Sequence, residues 1–256
     1  MDAHVTRLLT TPIKGIRVND VPSIMINRSG AAGDRRFFLV DDRDRMVNAK
    51  PLGMLQTVSG SFDEHCALLS LVMPNGVKVE APVQFDTSMP EQPYGHFRAG
   101  RVVRGPWAEA LSELAQRRLR LVMTASAVDR GSRGAFSLLS RASLRRLAER
   151  AAVNEVDARR FRMLIEVDGV DAHAEDGWVG RELSIGPVLL RVEGHVGRCL
   201  VTSRDPETGQ ITMPTLELLR SYRPAEGVTE PLPLGIHGRV LQGGVISLGD
   251  PVEVMG

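Results

Sequence analysis

The stretch EGHVGRCLVTSRDPETG, residues 193–209, joins an apolar strand pattern to a turn and places a cysteine between them. Gly197 lets the backbone approach another group closely. Arg198 is a cation beside Cys199, and a neighbouring cation favours the thiolate, which is the form that binds soft metals. The DPETG segment has the composition of a turn. We therefore expect Cys199 at a strand edge beside a loop rather than deep in a core.

The residues on both sides of this stretch predict strands, because short apolar and β-branched runs alternate with Gly and Asp. These runs are RMLIEVDG (162–169), PVLLRVEG (187–194), RCLVTS (198–203) and GVISLGDPVEVM (244–255). PTLELLRSY (214–222) instead predicts a short helix with Pro214 in its first turn.

The first 90 residues also predict strands. Four strand-like runs occur there, at HVTRLLT (4–10), VPSIMIN (21–27), RRFFLVD (35–41) and MVNAK (46–50). In LLSLVMPNGVKVEA, residues 68–81, two such runs flank Asn75-Gly76, whose tolerance of positive φ predicts a tight hairpin turn. Prolines follow, and VQFDTSMPEQPYGH, residues 83–96, predicts a connection.

The middle of the chain predicts two amphipathic helices. Apolar residues recur at steps of three and four in AEALSELAQRRLR (108–120) and in SRASLRRLAERAA (140–152). Ser140 or Ser143 can cap the start of the second helix. The order of strands, then helices, then strands predicts an α+β, β-rich protein with a barrel-like architecture.

Composition and charge exclude several classes of protein. Hydrophobic residues make up 43% and charged residues 25% of the 256 residues, which is typical of a folded globular chain. The net charge of +1 argues against bulk nucleic-acid binding. No apolar run approaches the ~18 residues of a helical membrane span, and the first residues lack a signal-peptide pattern. Two cysteines cannot form a disulfide scaffold, so we predict a cytoplasmic protein.

The sequence contains no common metal or nucleotide motif. Its six histidines lack the spacing of a zinc site, and it has no GxGxxG, Walker or GxSxG pattern. Of 32 basic residues, only Lys14, Lys50 and Lys78 are lysines. The arginine excess fits either a compositional bias or bidentate contacts of guanidinium groups to an anion.

Asp34 and the pair Glu175-Asp176 each allow two interpretations, whereas Cys66 allows one. Asp34, beside Arg35, is either a structural ion-pair partner or a group that orients an anion-binding arginine. Glu175-Asp176 is either an acid/base pair or a cap or turn. The second interpretation is favoured because the side chains of adjacent residues often diverge. Cys66 enters an apolar run and predicts a core position.

Several strings of the sequence, in this order and spacing, match the motifs of one protein family. The strings are TPIKG (11–15), GDRRFFLVD (33–41), VNAK (47–50), LLSRASLRRL (138–147), RRFRMLIEVDG (159–169), AEDGW (174–178), GRCLVTSRDPETG (197–209), LRSYR (219–223) and GGVISLGDPVEV (243–254). Over nearly its whole length the chain resembles the MOSC superfamily, named for the C-terminal domain of molybdenum-cofactor sulfurase. It looks most like the two-part members that include the mitochondrial amidoxime-reducing component and its bacterial relatives.

This resemblance implies both a fold and a site. The fold is an N-terminal MOSC β-barrel region, residues 1–95, packed on a MOSC-type β-barrel with flanking helices, residues 96–256. A molybdenum–pyranopterin (molybdopterin) cofactor lies between them. By the match of motifs, Cys199 is the metal ligand and the catalytic residue. The residues that correspond to cofactor-binding positions are Lys14, Arg36 or its neighbour Arg35, Lys50, Ser140, Ser143, Arg162 and Arg198.

The sequence departs from the family pattern in three places. Leu164 replaces an asparagine two residues after Arg162, with Met163 in place of a proline. Gly15 stands where serine is frequent, and Gly197 where a small hydroxyl residue is common. Each change removes a hydrogen-bonding group worth about 1 kcal/mol near the expected cofactor.

The resemblance implies an enzyme that reduces N-hydroxylated small molecules. Electrons come from a separate donor protein, because two cysteines cannot ligate an iron–sulfur cluster. Two alternatives stay open. The protein can carry the cofactor, or a sulfur atom as a persulfide on Cys199, to another enzyme. Alternatively, the changes at Leu164 and Gly15 mark a diverged member that acts on a specialised metabolite without the metal.

Overall fold

The computed structural model describes residues 3–94, 99–126, 129, 131–223 and 225–255. Within these residues it contains twenty strands. In chain order they are β1 (His4–Thr10), β2 (Asn19–Asp20), β3 (Ser23–Asn27), β4 (Gly30–Ala31), β5 (Phe37–Val40), β6 (Met46–Val47), β7 (Ser59–Asp63), β8 (Leu68–Val72), β9 (Lys78–Pro82), β10 (Gln84–Phe85), β11 (Gln92–Pro93), β12 (Ala99–Arg104), β13 (Arg120–Met123), β14 (Phe136–Ser140), β15 (Ile165–Asp168), β16 (Glu182–Ile185), β17 (Val188–Gly197), β18 (Pro233–Gln242), β19 (Gly244–Ser247) and β20 (Val252–Val254).

Short helical segments connect these strands. The α-helices are α1 (Trp107–Ala115), α2 (Arg141–Ala151) and α3 (Thr215–Tyr222). The 3₁₀ segments are Gly53–Thr57, Gly131–Gly134, Ala158–Arg160, Ala174–Trp178 and Leu200–Ser203. Across the described ranges, no helix has the length and apolar character needed to cross a membrane.

The largest sheet has eight strands in the order β2-β1-β15-β14-β18-β17-β16-β20. β14 and β15 run parallel and are joined by α2, whereas the other neighbouring pairs are antiparallel. The β17–β18 register shifts at three places, the last of them between His195 and Gly197. Such irregularities bend a strand and increase its twist, so this sheet curls into a barrel-like wall.

A second sheet forms most of the N-terminal core. Its order is β10-β12-β13-β5-β6, and a separate three-stranded sheet, β7-β8-β9, lies beside α1 and completes the enclosure. The fully buried Trp107 of α1 donates its indole N–H to the Leu69 carbonyl at 3.0 Å, which fixes the helix against β8. The two halves of the molecule thus have separate apolar cores.

The segment after β1 connects the two sheets. The Leu9 amide donates to the Leu164 carbonyl on the side of the large sheet at 2.9 Å. Five residues later, the Lys14 amide donates to the Phe37 carbonyl of β5 at 2.8 Å. Residues 11–15 therefore lie at the junction between the sheets, beside the turn that precedes β15.

The predicted elements are present, with four corrections. The helix predicted over residues 108–120 ends at Ala115, because Gln116 has a left-handed backbone, and Arg120 already begins β13. RCLVTS, residues 198–203, is not a strand, because the Cys199 carbonyl accepts from the Thr202 amide and hydroxyl and starts a 3₁₀ turn. Cys66 is exposed rather than in the core, because Asp63 accepts from the His65 and Cys66 amides and closes the turn between β7 and β8. Pro214 precedes the first turn of α3 instead of lying in it.

The β-rich α+β class and the predicted hairpin at Asn75-Gly76 are confirmed by the strand order and by the β8–β9 pairing. The segment predicted as a connection, residues 83–96, contains the two-residue strands β10 and β11. The domain boundary between residues 95 and 96 lies outside the described residues and stays a prediction.

Candidate functional site

A cavity of about 250 Å³ opens at the junction of the two sheets. This volume lies just below the range for small-molecule sites, which begins at about 300 Å³. Nine short stretches of the chain line it: residues 14–15, 34–35, 48–50, 129, 134–137, 160–164, 196–199, 201–202 and 237. The lining contains six lysine or arginine residues and two carboxylates, Asp34 and Asp129.

Cys199 lies in the cavity wall at the point where β17 ends. Its backbone is extended, and the chain then turns through Leu200–Ser203, so that the residue is exposed rather than packed under the turn. Thr202 fixes this turn, because its amide and hydroxyl both donate to the Cys199 carbonyl, at 3.0 and 2.9 Å. The thiol is therefore presented at a strand edge beside a loop.

Arg162 is the most constrained cation of the site. Its backbone is left-handed, with φ of 57°, and its Nη2 atom is buried without a hydrogen-bond partner among the described residues. Burial, together with the nearby positive charge of Arg35, lowers the pKa of Arg162 to about 10. A buried guanidinium nitrogen without an acceptor is costly unless an anion binds to it.

Arg35 is held beside Arg162 by two acceptors. One of its guanidinium nitrogens pairs with Asp34, and the other donates to the backbone carbonyl of Arg162. Asp34 is itself fixed, because it accepts from the Thr11 amide at 2.8 Å. Both side chains of the Asp34–Arg35 pair are less than 10% exposed. Asp34 therefore forms a buried ion pair with Arg35 and holds it at the cavity, whereas the binding of an anion by Arg35 stays a prediction.

Asp129 is a second carboxylate of the cavity lining. Its carboxylate pairs with the Lys14 ammonium and lies 3.3 Å from Nε of Arg35. Burial raises the pKa of Asp129, but the charges of Lys14 and Arg35 outweigh burial and hold it well below its usual range. The cavity thus already pairs one carboxylate with two of its cations.

Lys50 and Arg198 line the cavity and also connect neighbouring segments. The Lys50 carbonyl accepts from Arg204 at 3.0 Å, which ties residues 48–50 to the loop after Cys199. The Arg198 guanidinium donates to the Phe161 carbonyl at 3.1 Å and to the Leu234 carbonyl. Arg198 therefore holds the turn that carries Arg162 against β18.

The family of the chain follows from comparison of its sequence with known domains. The MOSC domain matches residues 125–253, and the MOSC N-terminal beta barrel domain matches residues 2–100. The chain belongs to the MOSC family.

Two relatives and one solved structure illustrate the similarity. The human mitochondrial amidoxime-reducing component 1 is 29% identical over 291 aligned positions, which cover 98% of this chain and 83% of that protein. The bovine mitochondrial amidoxime reducing component 2 is 29% identical over 293 positions, with the same coverage. The YuaD protein of Bacillus subtilis matches with a TM-score of 0.47 and 12% identity, over 99% of this chain and 96% of that one.

Six of the nine positions predicted from the MOSC resemblance line the cavity: Lys14, Arg35, Lys50, Arg162, Arg198 and Cys199. The other three lie elsewhere. Arg36 pairs with Glu64 and donates to the Thr124 carbonyl. The Arg36 side chain is therefore engaged with the β7–β8 turn and with Thr124 rather than with the cavity.

Ser140 and Ser143 lie at the start of α2, outside the cavity lining. Ser140 caps the helix by accepting from the Ser143 amide at 3.1 Å, and Ser143 donates to the buried Glu175 at 2.7 Å. Glu175 and Asp176 diverge, because Asp176 pairs with Arg223 on the other side. Neither carboxylate of this pair lines the cavity.

Two of the departures from the MOSC pattern have a structural reason. Gly15 has φ of +106°, and a Cβ there would lie 3.1 Å from the Ala49 nitrogen, so serine is disfavoured. At Gly197 a Cβ would lie 2.8 Å from the Pro231 carbonyl oxygen and 3.0 Å from the Glu230 side chain. Leu164 is buried in the core of the large sheet and offers no polar side-chain group to the cavity.

Sequence reasoning missed several cavity residues, including Asp129, Ser137 and His237. Ser137 and His237 are directly paired across β14 and β18. Nothing local in the sequence distinguishes them, because only the pairing of distant strands brings them to the cavity.

Proposed function

We propose that this protein is a molybdenum-cofactor-dependent oxidoreductase that reduces N-hydroxylated small molecules. The observation that carries the proposal is the buried, unpartnered Nη2 of Arg162 in a cationic cavity whose wall also presents the Cys199 thiol. The names of the relatives, amidoxime-reducing components, indicate the reaction class.

The residues present fit a molybdenum–pyranopterin cofactor. Such a cofactor carries a phosphate and a metal held by sulfur, so it needs cationic forks and a soft ligand. Arg162 and Arg35, with Lys14 and Lys50 beside them, supply the cations. The thiolate of Cys199 supplies the soft ligand. We assign the first four residues to the anionic part of the cofactor and Cys199 to the metal.

The protein residues then have distinct tasks in the reaction. An N-hydroxylated compound, two electrons and two protons give the amine or amidine and water. The cofactor, when bound, supplies the two-electron redox chemistry. Arg162 and Arg35 hold its anionic groups, and Asp34 keeps Arg35 in place. Asp129 pairs with Lys14 and Arg35 and must share these cations with the bound anion.

The electrons come from a separate donor protein in this proposal. The two cysteines, Cys66 on the β7–β8 turn and Cys199 at the end of β17, are too few to hold an iron–sulfur cluster. The relatives are named mitochondrial components. The cytoplasmic location that we predict from the sequence is tested by fractionation of cells that produce the protein at its natural level.

Cofactor analysis of the purified protein tests the proposal. We expect molybdenum by mass spectrometry and pterin by fluorescence after acid oxidation, both stoichiometric with the protein, after production in a host that makes the cofactor. Absence of both would overturn the proposal. A persulfide on Cys199 in metal-free protein would favour the role as a sulfur carrier instead.

A further inference from the structure

His237 lines the cavity from β18 and has no role in the site as described above. Its side chain is 12% exposed. We propose that His237 is the proton donor of the reductase reaction, and that Glu230 is the positioning residue that keeps it protonated. The inference rests on the proposed function, because it assigns a step of that reaction.

Both ring nitrogens of His237 face acceptors. Nδ1 lies 3.0 Å from the Arg133 carbonyl oxygen, which can only accept, so Nδ1 carries a proton. Nε2 lies 4.0 Å from a carboxylate oxygen of Glu230, which favours a proton on this nitrogen as well. The arrangement places an acceptor beside each ring nitrogen, as a doubly protonated imidazolium requires.

Glu230 links His237 to the segment that carries Cys199. Its other carboxylate oxygen accepts from the Gly197 amide at 2.8 Å. This approach depends on the glycine, because a Cβ at position 197 would lie 3.0 Å from that oxygen. The Glu230 side chain is 31% exposed, so it contacts solvent and can return a proton to His237. Gly197, which departs from the MOSC pattern, thus leaves space for the Glu230 carboxylate between the segment of Cys199 and His237.

The charges that share the cavity with His237 are of both signs. Six cations of the lining disfavour a further positive charge, whereas Asp34 and Asp129 are already paired with cations among them. These cations are Lys14, Arg35, Lys50, Arg160, Arg162 and Arg198. Glu230 is the carboxylate beside Nε2 of His237, and we expect its removal to deprotonate this nitrogen. An anion bound to the arginines would stabilise the imidazolium further.

In the proposed step, proton transfer from His237 accompanies cleavage of the N–O bond. The N–O bond of the substrate breaks, and two electrons from the donor reduce the substrate. The proton on Nε2 of His237 passes to the departing oxygen, and a second proton from solvent completes the amine and water. Glu230 relays a proton from solvent back to Nε2, which restores the imidazolium.

Nitrogen NMR of the cofactor-free protein tests the protonation state without any turnover. With ¹⁵N-labelled histidine, we expect both ring nitrogens of His237 to be protonated at pH 7. In Glu230→Gln, Nε2 should lose its proton while Nδ1 keeps it. A wild-type His237 with either nitrogen unprotonated at pH 7, or no change in Glu230→Gln, would overturn the assignment.

Kinetics of the cofactor-loaded protein, with a reduced viologen as electron donor, test the role itself. We expect His237→Gln to lower kcat by about 100-fold, with cofactor content and KM retained. Imidazole added to His237→Ala should restore part of the rate. The matched control His65→Gln, on an exposed turn, should behave as wild type.

Failure of the proposed function and failure of the proton-donor assignment give different experimental results. Wild-type protein that lacks the cofactor, or that is loaded but inactive on N-hydroxylated compounds, contradicts the proposed function. Loaded, active protein in which His237→Gln keeps its kcat, or in which imidazole leaves His237→Ala unchanged, contradicts only the proton-donor assignment.

Discussion

Arg35 donates a hydrogen bond from its guanidinium to the backbone carbonyl of Arg162, so that two arginines from distant parts of the chain lie side by side. Both have a left-handed backbone, with φ of 47° and 57°. Such conformations cost about 1–3 kcal/mol each in residues with a side chain, and the two positive charges repel each other. Asp34 and Asp129 compensate the charge of Arg35, whereas the charge of Arg162 is held unfavourably, and a bound anion would stabilise it.

Replacement of Arg162 by Gln removes the cost of this buried charge. Burial and Arg35 lower the pKa of Arg162 to about 10, so its charged form destabilises the folded state at pH values below 10. The penalty declines as the pH rises toward the ordinary value. We expect Arg162→Gln, without cofactor, to be at least as stable as wild type, by up to about 3 kcal/mol at pH 7.

The same substitution should lower the amount of cofactor that co-purifies with the protein. Urea denaturation and pterin analysis measure the two effects. A variant that is less stable than wild type and still retains its cofactor would show that Arg162 is a structural residue.

Replacement of Asp34 by Asn should have the opposite effect on stability. It leaves the buried Arg35 charge without its main partner, and breaking a buried ion pair costs about 3 kcal/mol or more. Because Asp34 orients Arg35, cofactor retention should also fall. Urea denaturation at pH 7 measures the change in the free energy of unfolding.

The matched control is Asp42→Asn. The Asp42–Arg118 pair is more than 60% exposed at both residues, and such pairs contribute less than about 1 kcal/mol. Equal effects of the two substitutions would contradict the role assigned to Asp34.

The two cysteines provide a matched pair of variants. Both are exposed, so Cys199→Ser and Cys66→Ser should each change the free energy of unfolding by no more than about 0.5 kcal/mol. Only Cys199→Ser should lose molybdenum and activity, because serine does not supply a soft ligand. Metal analysis and thermal unfolding separate the effects. Full activity in Cys199→Ser would disprove the ligand assignment.

His173 should make the protein sensitive to acid. It lies before the 3₁₀ segment Ala174–Trp178, and both ring nitrogens are buried without partners among the described residues. Burial and the Arg223 charge lower the pKa of His173 to about 4. The unfolded chain therefore binds a proton between about pH 6.5 and 4 that the folded chain does not, and stability falls as the pH falls through this range.

His173→Asn tests this contribution. Asparagine tolerates the φ of 66° at this position and does not titrate. We expect the free energy of unfolding of wild type to fall by about 2 kcal/mol more than that of the variant between pH 7 and pH 4. Parallel pH profiles for the two proteins would contradict the account of His173.

Much of the fold follows from local patterns in the sequence. β1 spans residues 4–10 as the run HVTRLLT predicts, and α2 lies within residues 140–152. The prediction is wrong at residues 198–203, where β-branched and apolar residues favour a strand. There the hydroxyl of Thr202 competes successfully by closing a turn on the Cys199 carbonyl.

The candidate site was less accessible to sequence reasoning than the fold. Motif resemblance could indicate Arg35 and Arg162 but not their contact, which depends on the junction between two sheets. Asp129 and His237 have no motif around them and reach the cavity only through tertiary packing. Ser140, in turn, has the right residue type for a ligand contact but caps a helix.

Reduction of benzamidoxime by the loaded protein is the most direct test of the central claim. Protein that contains molybdenum and pterin is supplied with a reduced viologen, and benzamidine is measured by chromatography. We predict benzamidine in catalytic excess over protein for wild type and Cys66→Ser, and none above background for Cys199→Ser. Loaded wild-type protein that accepts electrons from the viologen but leaves benzamidoxime and hydroxylamines unchanged would contradict the account.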